Sequence, residues 1–235
     1  MSLPALDISP TDSVLSAPRR LQVVHLIEAL GPGGAERLLY TNLKHFDRAR
    51  VRSTVFTVYP NAMDWREPIQ RLGVDVITLN CRSPRELPSA IRKFRAWLRT
   101  NQPDLIHSHL WAANVVARVA GRLAGVPVLS SVHNPDHEPD AWADGAAVSQ
   151  RKRLTAKAID RWTACFGSRR MIAVSDYVKQ SAHRQLKFPL KEIDLVYNPI
   201  DLDLVSGPPK KSRTEILREC KLPPDALLLL NVARV

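Results

Sequence analysis

Histidines with the spacing of candidate catalytic or metal-binding residues lie in the middle of the chain. Four of the seven histidines occur between positions 107 and 137, namely His107, His109, His133 and His137. His109 and His133 each end an apolar run that predicts a buried strand. If those strands are neighbours in one parallel sheet, both imidazoles lie at one crevice, where a neutral ring can hydrogen-bond a hydroxyl or polarise a reacting oxygen.

The segment from His107 to His109 ends the fourth predicted strand, with Ser108 between the two histidines. We expect the two imidazoles to lie on opposite sides of the sheet, one in the core and one in the crevice. His109 is the expected crevice residue because it is closer to the carboxyl end of the strand, and His107 is the expected structural histidine. A structural role for His109 is an equally weighted alternative.

A zinc site is a second interpretation of these histidines, because His-x-His occurs in metal sites. We expect that two alternating side chains of an unbroken strand cannot both bind one ion. Asp136, Glu138 and Asp140 follow His133 and could supply a carboxylate ligand, or they could be solvated loop residues. The sequence therefore predicts no metal site.

A glycine-rich turn follows the first predicted strand and precedes a predicted helix. Gly33 and Gly34 occupy this turn, where backbone N–H groups and the helix dipole can hold a phosphate. Glycine there allows close approach of a ligand and a positive φ. The alternatives are an ordinary tight turn and, for Glu36, an acid favoured by the helix dipole. The turn does not match the GxGxxG pattern of dinucleotide sites.

Apolar runs alternate with segments of helical periodicity along most of the chain. This alternation predicts an α/β fold with a doubly wound, Rossmann-like parallel sheet, in which ligands bind beyond the carboxyl ends of the strands. The predicted strands are 21–27, 51–58, 74–79, 104–108, 126–132, 171–174 and 193–196, and the predicted helices are 35–46, 65–72, 84–100, 112–124, 152–166 and 176–186.

Three segments of different composition divide the chain. Residues 1–20 are a polar leader that we expect to be disordered, 21–205 are the Rossmann-like domain, and 206–235 are a linker and the first strand of a truncated second domain. The apolar residues 227–230 in that strand would be exposed without a sheet. We therefore expect poor solubility or an obligate partner.

The formal net charge of +11 and the sequence pI of about 10.0 favour anionic partners. Basic residues on predicted helices indicate either a solvated face or a surface that contacts an anionic membrane. We predict no nucleic-acid binding, because the sequence contains no RNP-type strand motif, KH loop or zinc finger. Cys81, Cys165 and Cys220 form no CxxC or Cys/His spacing that would indicate a zinc site or a redox pair. The chain has no signal-peptide pattern and no spanning apolar run, which predicts a cytoplasmic protein, with peripheral contact at the inner membrane face.

Five short motifs together resemble the ordered landmarks of glycosyltransferase family 4. Each motif is weak alone, but their common order and spacing are fairly specific. They are 26–37 (LIEALGPGGAER), 103–109 (PDLIHSH), 132–134 (VHN), 172–175 (IAVS) and 197–201 (YNPID).

This resemblance implies the N-terminal, acceptor-side half of a GT-B enzyme. Such an enzyme transfers a sugar from a nucleotide-sugar to an acceptor with retention of configuration and without a metal or other cofactor. By the resemblance, Gly33 and Gly34 approach the donor phosphates and sugar, His133 contacts the transferring sugar as the catalytic histidine, and Arg234 neutralises the departing diphosphate. We assign the acceptor side of the crevice to the remaining site residues, which are His109, Asn134 and Ser175.

The chain also departs from the family pattern. It ends before the glutamate pair and the basic residue with which the family's second domain binds the donor, and Asn198-Pro199 replaces the usual Asn-Gly. We therefore expect no transfer by this chain alone, with a saccharide or lipid-linked acceptor as substrate once a donor domain is present. The alternative is a noncatalytic binding subunit, or a remnant, that partners a separate donor-domain chain.

Overall fold

Seven strands form one entirely parallel sheet in the structure, a computed structural model that describes residues 19–138, 149–202 and 206–229. The predicted apolar runs form these strands because their side chains are buried between helices on the two faces. The strands are β1 Leu21–Ile27, β2 Val51–Thr57, β3 Asp75–Thr78, β4 Leu105–His109, β5 Val128–Val132, β6 Arg170–Ala173 and β7 Ile193–Leu195.

Helices follow the strands in the predicted alternation, which confirms the doubly wound α/β fold. Their ends follow local chemistry: Ser175 accepts a hydrogen bond from the Val178 N–H at the start of α6, and Gly125 adopts a left-handed φ of 78° after α4. The helices are α1 Gly34–His45, α2 Arg66–Arg71, α3 Leu87–Asn101, α4 Trp111–Ala124, α5 Gln150–Gly167, α6 Asp176–Leu186 and α7 Arg213–Glu219.

The order of the strands places β1 directly beside β4. The strand order in the sheet is β3-β2-β1-β4-β5-β6-β7. The chain therefore adds β2 and β3 on one side of β1, and then crosses back to add β4 to β7 on its other side. In such sheets, ligands bind at the carboxyl ends of the strands where the winding direction reverses. The residues that follow β1, β4 and β5 are therefore the first candidates for a functional site.

The hydrophobic core lies on both faces of the sheet. On one face, Val24 and Leu26 pack with buried residues of α3 and α4, and on the other face Ile27 packs with buried residues of α1 and α2. A third cluster joins β6 and β7 to α5 and α6. Alternate residues of each central strand thus face different helices, as the pleat of a strand requires.

The contacts divide the chain into a unit that ends at Pro199 and a second unit, 200–235. In the second unit, Ser212 and Glu215 form a capping box at the start of α7. Residues 226–229 contain no strand, and 230–235, which include Arg234, lie outside the described residues, as do 1–18. The domain limits 1–20, 21–205 and 206–235 stay predictions.

None of the described helices combines the length and the apolar character that crossing a bilayer requires.

A substitution at Gly167 is expected to separate α5 from α4. An added Cβ would lie 2.4 Å from the Arg118 carbonyl oxygen, which is backbone and cannot rotate away. We expect Gly167→Ala to lower the free energy of unfolding by about 1–3 kcal/mol, measured by urea titration. Gly34→Ala is the matched control, because no heavy atom lies within 4 Å of its added Cβ. Equal stabilities of the two variants would contradict this packing.

Candidate functional site

A cavity of about 790 Å³ opens where β1, β4 and β5 end. Glu28 follows β1, Leu110 follows β4 and Asn134 follows β5, and all three line the cavity. Because the strands are parallel, their carboxyl ends meet at this edge of the sheet. The cavity therefore lies at the point where the sheet order predicts ligand binding.

The lining of the cavity combines an apolar wall with hydrogen-bonding groups and two cations. This composition suits a ligand that has both hydroxyl groups and apolar or anionic parts. The apolar side chains are Pro84, Leu110, Trp111 and Ala156, the neutral and acidic polar ones are Glu28, Ser83, Asn134, Asp136 and His137, and the cations are Arg85 and Lys152.

Glu28 is fixed against the first turn of α4. Its Oε1 accepts a hydrogen bond from the Ala112 N–H at 2.7 Å, so the carboxylate satisfies a backbone donor that the helix leaves free. Burial raises the pKa of Glu28, while the bond to Ala112 opposes that shift. Among the described residues, no further hydrogen bond to the second carboxylate oxygen of Glu28 is formed at the cavity wall.

The turn between β4 and α4 contains backbone strain. Leu110 has φ 71° and ψ 162°, a conformation that is unfavourable for a side chain with a Cβ. Such a conformation costs about 1–3 kcal/mol and persists where surrounding structure enforces it, commonly at ligand sites. Its place between β4 and the cavity marks this turn as part of the site.

A buried ion pair supports the opposite wall. Arg118, which is fully buried, contacts Asp160 Oδ1 through Nη1 at 2.5 Å. The other carboxylate oxygen, Oδ2, lies 2.8 Å from His137 Nε2. Arg118 therefore anchors Asp160, and Asp160 orients the imidazole of His137 at the cavity.

Asp136 is expected to titrate near neutral pH. Burial raises its pKa from 3.8 to about 6. The folded state holds this proton more tightly than the unfolded state does. The contribution of Asp136 to stability is therefore fully present below about pH 4, and it decreases by about 2–3 kcal/mol as the pH rises to about 6. Carboxyl ¹³C NMR should show the midpoint, and Asp136→Asn should remove that part of the pH dependence. A midpoint near 4 would contradict the expectation.

The structure corrects the expected placement of His107 and His109. Residues two apart in a strand face the same side, and the two rings lie side by side with centroids 4.1 Å apart. The expectation of opposite sides was wrong. His109 is only 1% exposed and reaches the crevice through His133, whose Nε2 lies 3.1 Å from His109 Nδ1.

His133 itself is partly exposed at the end of β5, as predicted. Burial lowers its pKa to about 4, so the ring is neutral at physiological pH. With Nε2 bonded to His109, the other ring nitrogen, Nδ1, remains for a ligand. Its predicted contact with a transferring sugar stays a prediction.

Gly33 and Gly34 begin α1 at the same edge of the sheet. Gly33 is extended, with φ −94°, and Gly34 is the first helical residue, so neither uses the positive φ that glycine allows. An added Cβ at Gly33 would meet the Glu36 carboxylate, whereas Gly34 borders open space. Among the described residues, only the flexible Glu36 side chain approaches Gly33, and none approaches Gly34, so the backbone here is open to a ligand.

The other predicted acceptor-side residues have different surroundings. Asn134 is exposed and lines the cavity. Ser175 Oγ caps α6, which gives it a structural partner. Glu138, one of the possible metal carboxylates, instead binds Arg184 and Gln185 of α6. Asp140 and Arg234 lie outside the described residues.

Sequence reasoning did not identify Glu28, Trp111 or the pair formed by His137 and Asp160 as parts of the site. An acid directly after β1, at the switch point, was a usable signal for Glu28. Trp111 and Asp160 carry no such signal, because each reads as an ordinary residue of an amphipathic helix.

Comparison with known proteins places this geometry in a family. The chain is 24% identical to a UDP-Gal:α-D-GlcNAc-diphosphoundecaprenol α-1,3-galactosyltransferase of Escherichia coli, over 58% of this chain and 33% of that protein. It is 23% identical to the putative glycosyltransferase EpsF of Bacillus subtilis, over 91% of this chain and 54% of that protein. The chain thus spans about half or less of these relatives.

Among solved structures, HepE of Anabaena in complex with UDP-glucose matches with a TM-score of 0.64 at 18% identity, over 86% of this chain and 49% of that one. This likeness confirms the Rossmann-like fold of the N-terminal half of a GT-B glycosyltransferase. The model of Glycosyltransferase Family 4 matches residues 32–204, most of the chain. The chain belongs to glycosyltransferase family 4.

Proposed function

We propose that this chain is the acceptor-side half of a retaining glycosyltransferase. It transfers a sugar from a nucleotide-sugar to a saccharide or lipid-linked acceptor only when a donor-binding domain completes it. The observation that carries the proposal is the cavity at the switch point, which combines an apolar wall with Glu28, Asn134 and Asp136. Carboxylates and amides are suitable partners for the hydroxyl groups of a sugar.

On the donor side, the proposal assigns the diphosphate to the N-terminus of α1. Gly34 borders open space, so a phosphate can approach the backbone N–H groups of the first turn. Arg234, in the part of the chain outside the described residues, supplies the positive charge that a leaving nucleoside diphosphate needs. With these charges the transfer itself requires no metal.

A lipid-linked acceptor is supported by two features. The name of the E. coli relative specifies a diphosphoundecaprenol-linked substrate. In this chain, Arg85 and Lys152 border a cavity that Trp111 and Leu110 make apolar. Two cations beside an apolar wall suit a diphosphate attached to a lipid.

Binding experiments on the chain alone test the proposal. A short-chain lipid diphosphate that carries N-acetylglucosamine should shift the Trp111 indole NMR signal saturably, and Asn134→Ala should weaken that binding at least tenfold. UDP alone should bind weakly. Absence of acceptor binding, or tighter binding of UDP than of the acceptor, would sink the assignment to the acceptor side. Restoration of transfer by a separately expressed donor domain would favour the alternative of a split enzyme.

The exposed face of α5 supports peripheral contact with an anionic membrane at the inner face in the cytoplasm. Leu154 and Trp162 are 60% and 61% exposed, and Trp162 stacks on Phe166 with centroids 4.9 Å apart. Arg151 and Arg161 lie beside these apolar side chains on the same helix. An apolar stripe flanked by basic residues is typical of helices that lie on a bilayer surface.

We expect Trp162→Ser to reduce cosedimentation of the chain with phosphatidylglycerol vesicles at least fivefold, because its ring is the largest exposed apolar side chain of α5. The control is Tyr177→Ser, which removes an exposed aromatic ring of α6. Trp97 is not suitable as a control, because it packs beside Phe56 in the core. Equal vesicle binding by both variants would exclude α5 as the contact.

A further inference from the structure

Three imidazoles converge inside the sheet, and one of them, His109, contacts His133. His25 of β1 pairs in register with His107 of β4, and His109 follows on the same side. The ring of His25 lies 5.5 Å from that of His107 and 6.3 Å from that of His109, between centroids. One ring nitrogen of each residue lies within 4.8 Å of the other two.

The hydrogen bonds of the described residues leave at least one nitrogen without a partner on each ring. His109 uses Nδ1 for His133, and its buried Nε2 has no partner among the described residues. His107 uses Nε2 for Ser131 Oγ, at 2.8 Å, which leaves Nδ1. Both nitrogens of His25, which is 1% exposed, are buried and without a described partner. Buried polar atoms without a partner are rare and require an explanation.

The burial of the His25, His107 and His109 rings is compatible with binding of a metal cation. Burial lowers the pKa of His25 to about 4, and burial together with the neighbouring imidazoles holds the pKa values of His107 and His109 well below 6.5. The convergence of the rings and their unpartnered nitrogens carry the proposal, and burial of the rings is consistent with it. Neutral imidazole is the form that binds transition metals.

We propose that His25, His107 and His109 form a three-histidine site for a first-row transition-metal ion, with Zn²⁺ as the best fit. Zinc accepts three imidazole nitrogens at about 2.0–2.1 Å in tetrahedral geometry, so the nitrogens must approach to about 3.3 Å. Side-chain rotations that move each nitrogen by about 1 Å would bring the nitrogens, which now lie within 4.8 Å of one another, to that distance. Metal binding at this site can be tested separately from the proposed transfer, which itself requires no metal.

The surroundings match those of known metal-binding histidines. A metal-bound histidine usually donates its second N–H to a nearby acceptor, which fixes the tautomer and the ring. His109 Nδ1 has His133 Nε2 in that position, and His107 Nε2 has Ser131 Oγ. The bound ion would join β1 to β4 and fix the ring that supports His133.

Metal titration of the purified chain tests the site directly. The exposed thiols of Cys165 and Cys220 are first replaced by serine, because thiolates also bind zinc. After removal of metal with a chelator, Co²⁺ should give a tetrahedral visible spectrum without a thiolate charge-transfer band. Dialysed protein should retain one Zn²⁺ per chain, and saturating Zn²⁺ should raise the Tm. Failure of this protein to bind either ion overturns the proposal.

Variants distinguish this site from surface binding. His25→Leu and His109→Leu should each weaken Zn²⁺ binding at least 100-fold, whereas His45→Gln, at an exposed position outside the cluster, should bind as before. Unchanged affinity in both leucine variants overturns the assignment. If either variant does not fold, ¹⁵N NMR of the parent decides the matter: Zn²⁺ must shift the ring nitrogens of His25, His107 and His109, and shifts confined to other histidines overturn the site.

Discussion

Asp160→Ala should lower the free energy of unfolding by about 3–5 kcal/mol, which is the cost of leaving a buried charge without its partner. Arg118 is fully buried, and its Nη1 contacts the Asp160 carboxylate at 2.5 Å. Its Nε also donates to Ser130 Oγ at 3.0 Å and to Ser168 Oγ at 2.9 Å, so the guanidinium cannot move out to water without breaking these bonds. Urea titration gives the free energy directly.

Asp194→Ala is the matched control, because it breaks a surface Arg–Asp pair in the same unit. The Arg170 and Asp194 side chains are 49% and 45% exposed, and such pairs contribute about 0–1 kcal/mol. The double replacement Arg118→Met with Asp160→Leu should recover much of the stability, since it removes both charges. Similar losses for Asp160→Ala and Asp194→Ala would show that the buried pair is not a special feature of this fold.

The same pair determines a pH dependence. Burial by itself raises the pKa of Asp160, but the charge of Arg118 and the hydrogen bonds from His137 and Arg118 outweigh it, and the pKa is lowered from 3.8. A lowered folded-state pKa contributes stability that is present above the unfolded pKa of about 4 and is lost as the pH falls through the folded pKa. Asp160→Asn should therefore make the free energy of unfolding less sensitive to acid below about pH 4. The contribution of Asp136 has the opposite sign, because it decreases as the pH rises.

His133→Ala should lower kcat about 10²–10³-fold in an enzyme assembled from this chain and a donor-binding domain. That is the usual effect of removing one hydrogen-bonding group that stabilises charge in a transition state. His133 is held by His109 at 3.1 Å, and in our proposal its Nδ1 contacts the transferring sugar. Steady-state kinetics should show a larger change in kcat than in the KM for the acceptor.

The neutral state of His133 gives a second, independent expectation. Because burial lowers its pKa to about 4, this residue should produce no inflection in the pH profile of kcat between about pH 5 and 8. His45→Ala, at an exposed position, serves as the control and should leave kcat unchanged. An activity of His133→Ala within a few-fold of the parent would remove His133 from the reaction.

Local sequence was sufficient for the elements of this fold. Buried strands of a parallel sheet are apolar along their length, so β1 to β7 could be recognised one at a time. The crevice at the carboxyl ends of the strands was predictable for the same reason. The first strand predicted for the second domain is not seen where the structure describes it, since residues 226–229 contain no strand. A single apolar segment forms a strand only when neighbouring strands pair with it.

The side-chain geometry of the site could be predicted less well. The error at His107 and His109 was one of strand periodicity, since residues two apart share a face. No local pattern could pair Arg118 with Asp160, which lie on different helices and are 42 residues apart. Glu28 was visible as an acid, but its bond to the N-terminus of α4 depends on β1 lying beside β4.

The sequence by itself determined the alternation of strands and helices, because apolar periodicity is a local property. It also carried the family motifs and predicted the edge of the sheet at which we propose that a ligand binds. Only the tertiary structure decided that β1 lies between β2 and β4. That order brings His25 to His107, Glu28 to α4 and His133 to His109. Contacts between residues so distant in sequence arise from strand pairing and helix packing. A local sequence pattern does not specify which strands pair or which helices pack together.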